Sequence, residues 1–188
     1  MKTKFRLWKN QQGLAAVEFA FILPIMISML LGLVELSQAL VQRADVTNMA
    51  STAADLIAQE STVANGDMTN VYSALSEILY PYCKATVGNP RPQAQITITS
   101  LIDGGAGQNP KVAWSCTQGG TKATAPPSPM PAGLITAGGG GSVIWASITY
   151  SYSSPFHYLL STANWKSEFY SKPRRVPQIP LTGVVTGC

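Results

Sequence analysis

The sequence predicts an α+β protein: a long N-terminal transmembrane helix, and a second helix packed on a small antiparallel β-sheet. Three observations predict this class: an apolar run near the N-terminus, helical spacing directly after it, and strand-like stretches in the second half. The 188 residues have room for one modest domain with an extension. We expect a basic leader at 1–13, a membrane span at 14–36, a helical extension at 37–62 and the domain at 63–188.

The segment from Leu14 to Leu36 is long and apolar enough to cross a bilayer. As a helix it spans roughly 35 Å, against about 30 Å of hydrocarbon. Basic residues precede it at Lys2, Lys4, Arg6 and Lys9. Only Arg43, beside Asp45, follows soon after it, so the positive-inside rule orients the leader to the cytoplasm. We therefore expect the rest of the chain to be exported.

Charge excludes one class of function. Charged residues make up 12% of the chain, about half the usual share, and the formal net charge of +4 resides in the leader. Nucleic-acid binding needs a dense basic face, and beyond the leader only the Arg174-Arg175 pair is basic at adjacent positions. The sequence therefore predicts no nucleic-acid partner.

Three interpretations of the N-terminal segment compete: a permanent anchor, a cleaved signal peptide, and a segment that is cut before its apolar part. Small residues at Ser37-Gln38-Ala39 would suit a signal peptidase. A signal core has about 7–15 apolar residues, however, and this run is longer and carries Glu18 and Glu35 near its ends. The signal-peptide interpretation, which would release a soluble secreted adhesin, is therefore disfavoured.

The residues around the start of the span favour the third interpretation. Gly13-Leu14-Ala15-Ala16-Val17-Glu18-Phe19 follows the basic leader, with Pro24 inside the span and Gly32 near its end. This pattern resembles class III prepilin-like proteins, specifically the TadE-like minor pilins or pseudopilins of the Tad (tight adherence, Flp pilus) system. In such proteins a prepilin peptidase cuts after the glycine and leaves the apolar helix attached. The resemblance implies cleavage between Gly13 and Leu14.

Glu18 would then be the fifth residue of the mature chain. A carboxylate in an apolar helix is costly unless it is paired. The resemblance implies that its partner is the new α-amino group of a neighbouring subunit, and such a pair would fix the axial stagger of the helices. The alternative is that Glu18 merely lies at headgroup depth, as Glu35 would at the other end.

The resemblance also implies a setting. The function would be that of a minor pilin or pseudopilin supporting assembly of a Flp-type pilus used in adherence, with the N-terminus cytoplasmic and the domain periplasmic. Partners would be the prepilin peptidase, the major Flp pilin, another TadE/TadF-type pseudopilin and the inner-membrane platform. The alternative is an anchored periplasmic interaction module of a secretion or pilus apparatus that never enters the filament.

Beyond the span, apolar residues at spacings of three and four predict that the helix continues to about Gln59. A break at 63–66 precedes a second helix that Asp67 caps and that ends at Tyr80-Pro81. Three strands should follow, at Gln93–Ile102, Lys111–Cys116 and Ser142–Tyr152.

Two segments of the domain carry no strand prediction. Residues 117–142 are rich in Gly and Pro and cannot pack a core, so they form either a surface that contacts a neighbour or a flexible connector. The tail at 155–170 is aromatic and should pack in the core or at an interface. By resemblance, a Tyr-rich strand and a basic Pro-Arg stretch are typical of family C-termini, which extends the likeness loosely over Val143–Arg175.

Cys83, Cys116 and Cys188 lie on the exported side, where disulfides persist. We favour a Cys83–Cys116 bond; Cys188 would stay free, join another chain, or replace one partner of that bond. His157 is the sole histidine, and no CxxC, HExxH or GxSxG pattern occurs. We therefore expect no metal, no cofactor and no enzymatic activity.

Overall fold

The computed structural model describes residues 13–80, 94–154, 157 and 162–188. In this part of the chain two helices precede four strands: α1 (Leu14–Ala58), α2 (Asn65–Ile78), β1 (Ala94–Ile102), β2 (Lys111–Gln118), β3 (Ser142–Ser153) and β4 (Thr162–Ser171). The strands form one antiparallel sheet in the order β2-β1-β3-β4. The α+β class is confirmed, and β4 adds a strand to the three predicted.

Helix α1 is continuous through Pro24 and ends at Ala58, which confirms the predicted single long helix. It has two parts with different surroundings. The anchor half, residues 14–31, contains no buried residue. The domain half, residues 32–58, is buried along one stripe: Gly32, Glu35, Ala39, Gln42, Val46, Met49, Ala50, Ala53, Ala54, Ile57 and Ala58. Spacings of three and four place these residues on one face of the helix.

The core lies between the helices and one face of the sheet. The predicted inward face of β3 is confirmed, because Ile144, Ala146, Ile148, Tyr150 and Tyr152 are all buried. Small residues of α1, such as Ala50 and Ala54, let the helix backbone approach these large side chains closely. Burying each large apolar side chain stabilises the fold by about 1.5–3 kcal/mol.

The start of α2 differs in detail from the prediction. The helix begins at Asn65, two residues before Asp67. The Asp67 carboxylate nevertheless caps it, since Oδ2 accepts the Ala64 N–H at 2.9 Å. A carboxylate at this third position satisfies a backbone donor and interacts favourably with the positive end of the helix dipole.

The long connection between β2 and β3 contains no helix or strand, as expected, and it is attached to the sheet face opposite the helices. Thr97 Oγ1 donates to the Thr121 carbonyl at 3.2 Å. Nearby, the Ala123 N–H donates to Ser115 Oγ at 2.9 Å. These contacts satisfy polar groups of both the loop and the sheet.

Asp103 holds the other end of this connection. Its carboxylate accepts the N–H groups of Gly140 and Gly105, each at 3.0 Å. These two bonds, with Gly140 the larger contributor, hold the pKa of the Asp103 carboxyl below its usual value. Asp103 therefore connects the turn after β1 to the glycine run that precedes β3.

Residues 172–188, the C-terminal strap, return across the helices and the β2 end of the sheet. Trp114 Nε1 donates to the Ile179 carbonyl at 2.7 Å. The Val63 N–H donates to the Pro180 carbonyl at 3.0 Å. Ile179 itself is buried in the core. The strap therefore joins the α1–α2 turn to β2.

The favoured Cys83–Cys116 bond is wrong: Cys116 on β2 is bonded to Cys188 at the end of the strap. The alternative in which Cys188 replaces one partner is confirmed, and Cys83 lies outside the described residues. Sequence spacing misleads here because the bond depends on the return path of the strap. The Thr117 N–H donates to the Gly187 carbonyl at 2.9 Å, which places Cys188 beside β2.

Replacing Cys188 tests the strap. The bond joins residues 72 positions apart in the sequence. We expect Cys188→Ser to lower the free energy of unfolding by about 2–4 kcal/mol, because the unfolded chain regains the freedom of that loop. Chemical denaturation of the full chain in detergent measures this loss. Cys83→Ser is the control, and an equal loss in that variant would contradict the assignment.

Candidate functional site

The predicted processing residues lie at the very start of α1. Gly13 directly precedes the helix with φ −85° and ψ −18°, a conformation open to any residue. A Cβ at Gly13 would meet no atom within 4 Å. The fold therefore does not require glycine at position 13. Recognition by another protein is the kind of constraint that could require it.

Leu14 and Glu18 lie one helical turn apart on the same face of α1. Leu14 is 60% exposed, and Glu18 is also exposed. The structure thus brings Gly13, Leu14 and Glu18 together in one accessible turn. The cysteine pair lies in the domain, on β2 and the strap.

The remaining predicted span residues follow along α1. Phe19 is exposed, Pro24 lies inside the helix, and Gly32 is the first buried residue. Large exposed apolar side chains cover the anchor half on all sides: Leu14, Val17, Phe19, Phe21, Ile22, Leu23, Ile25, Met26, Ile27, Met29 and Leu30. By length and composition α1 can cross a membrane, where such exposure is favourable.

Sequence reasoning missed how the anchor is connected to the domain. Glu35 is fully buried. Ser154 is the residue directly after β3, and its hydroxyl donates a hydrogen bond to Glu35 Oε1. The depth of Glu35 in a membrane stays a prediction, and the structure shows that the domain encloses its side chain. A buried carboxylate is costly without a hydrogen-bond donor, and Ser154 supplies one.

A second buried polar contact lies two turns further along α1. Gln42 is 3% exposed, and its Oε1 accepts the Tyr150 hydroxyl at 3.1 Å. Tyr150 lies on β3, four residues before Ser154. We call Glu35, Gln42, Tyr150 and Ser154 the polar joint. Its two contacts fix both the axial position and the rotation of α1 on the sheet.

A sequence signal for the polar joint existed. Glu35, Ala39, Gln42 and Val46 share one helical face by spacing, and that face is the one that packs on the sheet. Polar residues within an apolar face indicate buried partners.

Among the residues that the structure describes, no three His, Cys, Asp or Glu side chains cluster as a metal site would need.

Residues 13–55 match the family model for TadE-like proteins. The TadE-like segment begins at Gly13 and includes both polar-joint residues of α1. The match is consistent with a TadE-like protein and indicates a Tad pilus system as the setting. No curated protein and no solved structure matches the chain.

Within the TadE-like segment, Glu35 provides a direct test of the polar joint. We expect Glu35→Ala to lower the free energy of unfolding by about 1–3 kcal/mol, because the Ser154 hydroxyl is left in a buried site without its acceptor. Glu35→Gln keeps an acceptor and should lose less. Denaturation of the full chain in detergent measures both variants.

The control for this test is Glu77→Ala, which removes a carboxylate that is exposed on α2. We expect it to change the free energy of unfolding by less than about 0.5 kcal/mol. A Glu35→Ala loss no larger than that of the control would contradict the polar joint.

Proposed function

We propose that this protein is a minor pilin or pseudopilin that supports assembly of a Flp/Tad-type pilus used in surface adherence. The observation that supports it most is the anchor half of α1. This segment is apolar and exposed, begins with the Gly13 motif, and lies within the TadE-like match. An exposed apolar helix needs a bilayer or other helices around it. In this proposal the bilayer surrounds the helix before assembly, and the helices of neighbouring subunits surround it afterwards.

In this proposal the chain is the substrate of a prepilin peptidase. Hydrolysis of the Gly13–Leu14 peptide bond consumes one water, leaves a carboxylate on Gly13 and creates an α-amino group on Leu14. Two observations support this site: Gly13 and Leu14 are accessible, and the fold gives no reason of its own for glycine at position 13.

Glu18 then sets the stagger between neighbouring helices. The new cation on Leu14 lies one turn from Glu18 of its own chain, at the end of an exposed helix. In a packed bundle both groups leave water, and each carboxylate needs a cation at its own depth. Pairing with the amino group of an adjacent subunit meets that need and selects one axial offset.

The proposed topology places the N-terminus in the cytoplasm and the domain in the periplasm, with α1 as a single span of the inner membrane. The Cys116–Cys188 bond supports an oxidising compartment for the domain. The proposed partners are the prepilin peptidase, the major Flp pilin, a second TadE/TadF-type pseudopilin and the inner-membrane platform. The role is structural and not enzymatic.

The anchored interaction module is retained as the alternative, and the state of the N-terminus separates it from the pilin role. Release by cleavage after Ala39 is less compatible with the fold. Ala39 lies within α1 and is buried, and a chain cut there would lose Glu35 from the polar joint.

The N-terminal residue tests the processing step. We expect intact mass and N-terminal sequencing of the protein from native membranes to give a chain that begins at Leu14. Gly13→Leu should leave a heavier precursor, because a bulky side chain would obstruct the peptidase without a clash inside the fold. A wild-type chain that still begins at Met1 would contradict the pilin role and favour the anchored module.

Glu18→Ala tests the stagger. We expect normal membrane insertion but few or no pili by electron microscopy, since each subunit contact loses a pair whose disruption costs about 3–5 kcal/mol. Glu77→Ala, which removes an exposed carboxylate of the domain, is the matched control and should leave piliation normal. Normal pilus number in Glu18→Ala would refute this role for Glu18.

A further inference from the structure

Strand β4 forms one edge of the sheet among the strands that the structure describes. It is 10 residues long, contains no proline and pairs with β3 without a bulge. Lys166 Nζ lies 2.5 Å from Glu168 Oε1, so the charge that would repel a neighbouring strand is paired. Prolines, bulges and unpaired lysines are the usual means by which proteins close an edge. β4 therefore has the regular form that accepts a further strand.

The register shows which backbone groups of β4 point outwards. In an antiparallel sheet the N–H and C=O of one residue point to the same side, and successive residues alternate. The Thr117 N–H donates to the strap, so Thr117 points away from β1 and its partner Thr97 points towards β3. Thr97 pairs with Ser147, which pairs with Glu168, so the Glu168 backbone points away from β3. By the same alternation, these residues also point outwards: Asn164, Lys166 and Tyr170.

The opposite edge of the sheet is closed by the strap. The Thr117 N–H donates to the Gly187 carbonyl at 2.9 Å. The Gly187 backbone lies so near β2 that a Cβ there would come within 2.5 Å of the Thr117 carbonyl oxygen. A strand that followed the whole length of β2 would collide with the strap. Copies of the chain therefore cannot join side by side through β4 of one and β2 of the next.

A hollow between α1 and β4 indicates which side chains a further strand would carry. Phe169 pairs with Ala146, whose side chain faces the core, so Phe169 lies on the α1 side of the sheet. It is nevertheless 42% exposed. It lines a hollow of about 290 Å³ with residues of α1: Ser51, Thr52, Asp55 and Leu56. An apolar side chain placed beside Phe169 would remove apolar surface from water, whereas the charged pair of Lys166 and Glu168 favours polar neighbours on the other face.

We propose that the β4 edge binds an extended segment of another protein as a fifth strand, antiparallel to β4. The segment alternates apolar side chains, which face α1, with polar side chains on the other face. Its backbone pairs with the outward-pointing groups of β4, and the hollow beside Phe169 selects its apolar side chains. Antiparallel pairing is favoured because it is the more stable form.

This inference goes beyond the proposed pilus role and depends only on the folded domain. Loss of piliation in a variant therefore does not bear on it, and strand binding does not bear on the pilus role.

The probe is a labelled synthetic peptide with the β3 sequence, Ser142–Ser153, and with lysines added at its ends for solubility. This sequence already pairs antiparallel with the other side of β4, and it alternates apolar with polar side chains. Fluorescence anisotropy measures its binding to the full-length protein in detergent, and hydrogen exchange locates the site. We expect the bound peptide to slow exchange at the outward-pointing amides of Asn164, Lys166 and Glu168.

Lys166→Pro tests the edge directly. Proline removes an outward N–H and places its ring in the path of the peptide, while the hydrogen bonds to β3 remain. We expect peptide binding to weaken by about tenfold or more. Lys166→Ala is the matched control, because it loses the same charge but keeps the N–H, and it should bind within about twofold of wild type. Glu168→Pro, with Glu168→Ala as its control, repeats the test at the next outward-pointing residue.

A second control is a peptide of the same composition in which the apolar and polar residues no longer alternate; it should bind at least about tenfold more weakly. Circular dichroism and an intact Cys116–Cys188 bond show that each protein variant is folded.

Four results would overturn the proposal. They are no binding of the β3 peptide to wild type, equal binding of the non-alternating peptide, unchanged binding in both proline variants, and slowed exchange at β2 in place of β4. A further result would replace the occupant. If the protein without peptide shows β4 protection that rises with protein concentration and is lost in Lys166→Pro, the edge binds a second copy of this chain.

Discussion

The buried contact between Glu35 and Ser154 is the constraint on which the rest of the architecture depends. A carboxylate enclosed by protein is tolerated only where a donor is held in place, so this pair permits one arrangement of helix and sheet. The Tyr150–Gln42 contact repeats the constraint two turns further along. Apolar packing is non-directional, whereas each polar pair joins one side chain of α1 to one side chain on or directly after β3 and so favours this register.

The C-terminal strap holds the helices and the sheet in one arrangement at the other side of the domain. It crosses the α1–α2 turn, contributes Ile179 to the core and ends in a covalent bond to β2. Elements far apart in the sequence are thereby held in one unit.

The sequence predicted those parts of the fold that depend on local pattern. The continuity of α1 and the inward face of β3 follow from periodicity, and the candidate membrane helix follows from the length of its apolar run. Strand β4 was missed. Trp165 and Phe169 alternate with Lys166 and Glu168, as in a strand, but the many aromatic residues of the tail obscured this alternation. Spacing along α1 carried a signal for Glu35 and Gln42 but did not identify their partners on and after β3, and it did not identify Cys188 as the partner of Cys116, because each partner lies more than 70 positions away.

The direction of β4 limits how copies of this protein can associate. Its residues 164–168 line a groove with Arg43 and Thr47, and Phe169 lines one with Asp55, so β4 and α1 run the same way. Copies inserted in one membrane with the same topology therefore present parallel β4 edges. Antiparallel pairing of two such edges would require one copy to be upside down in the bilayer. In the proposed membrane topology, this geometry disfavours antiparallel self-pairing at β4, which is an edge strand among the strands that the structure describes.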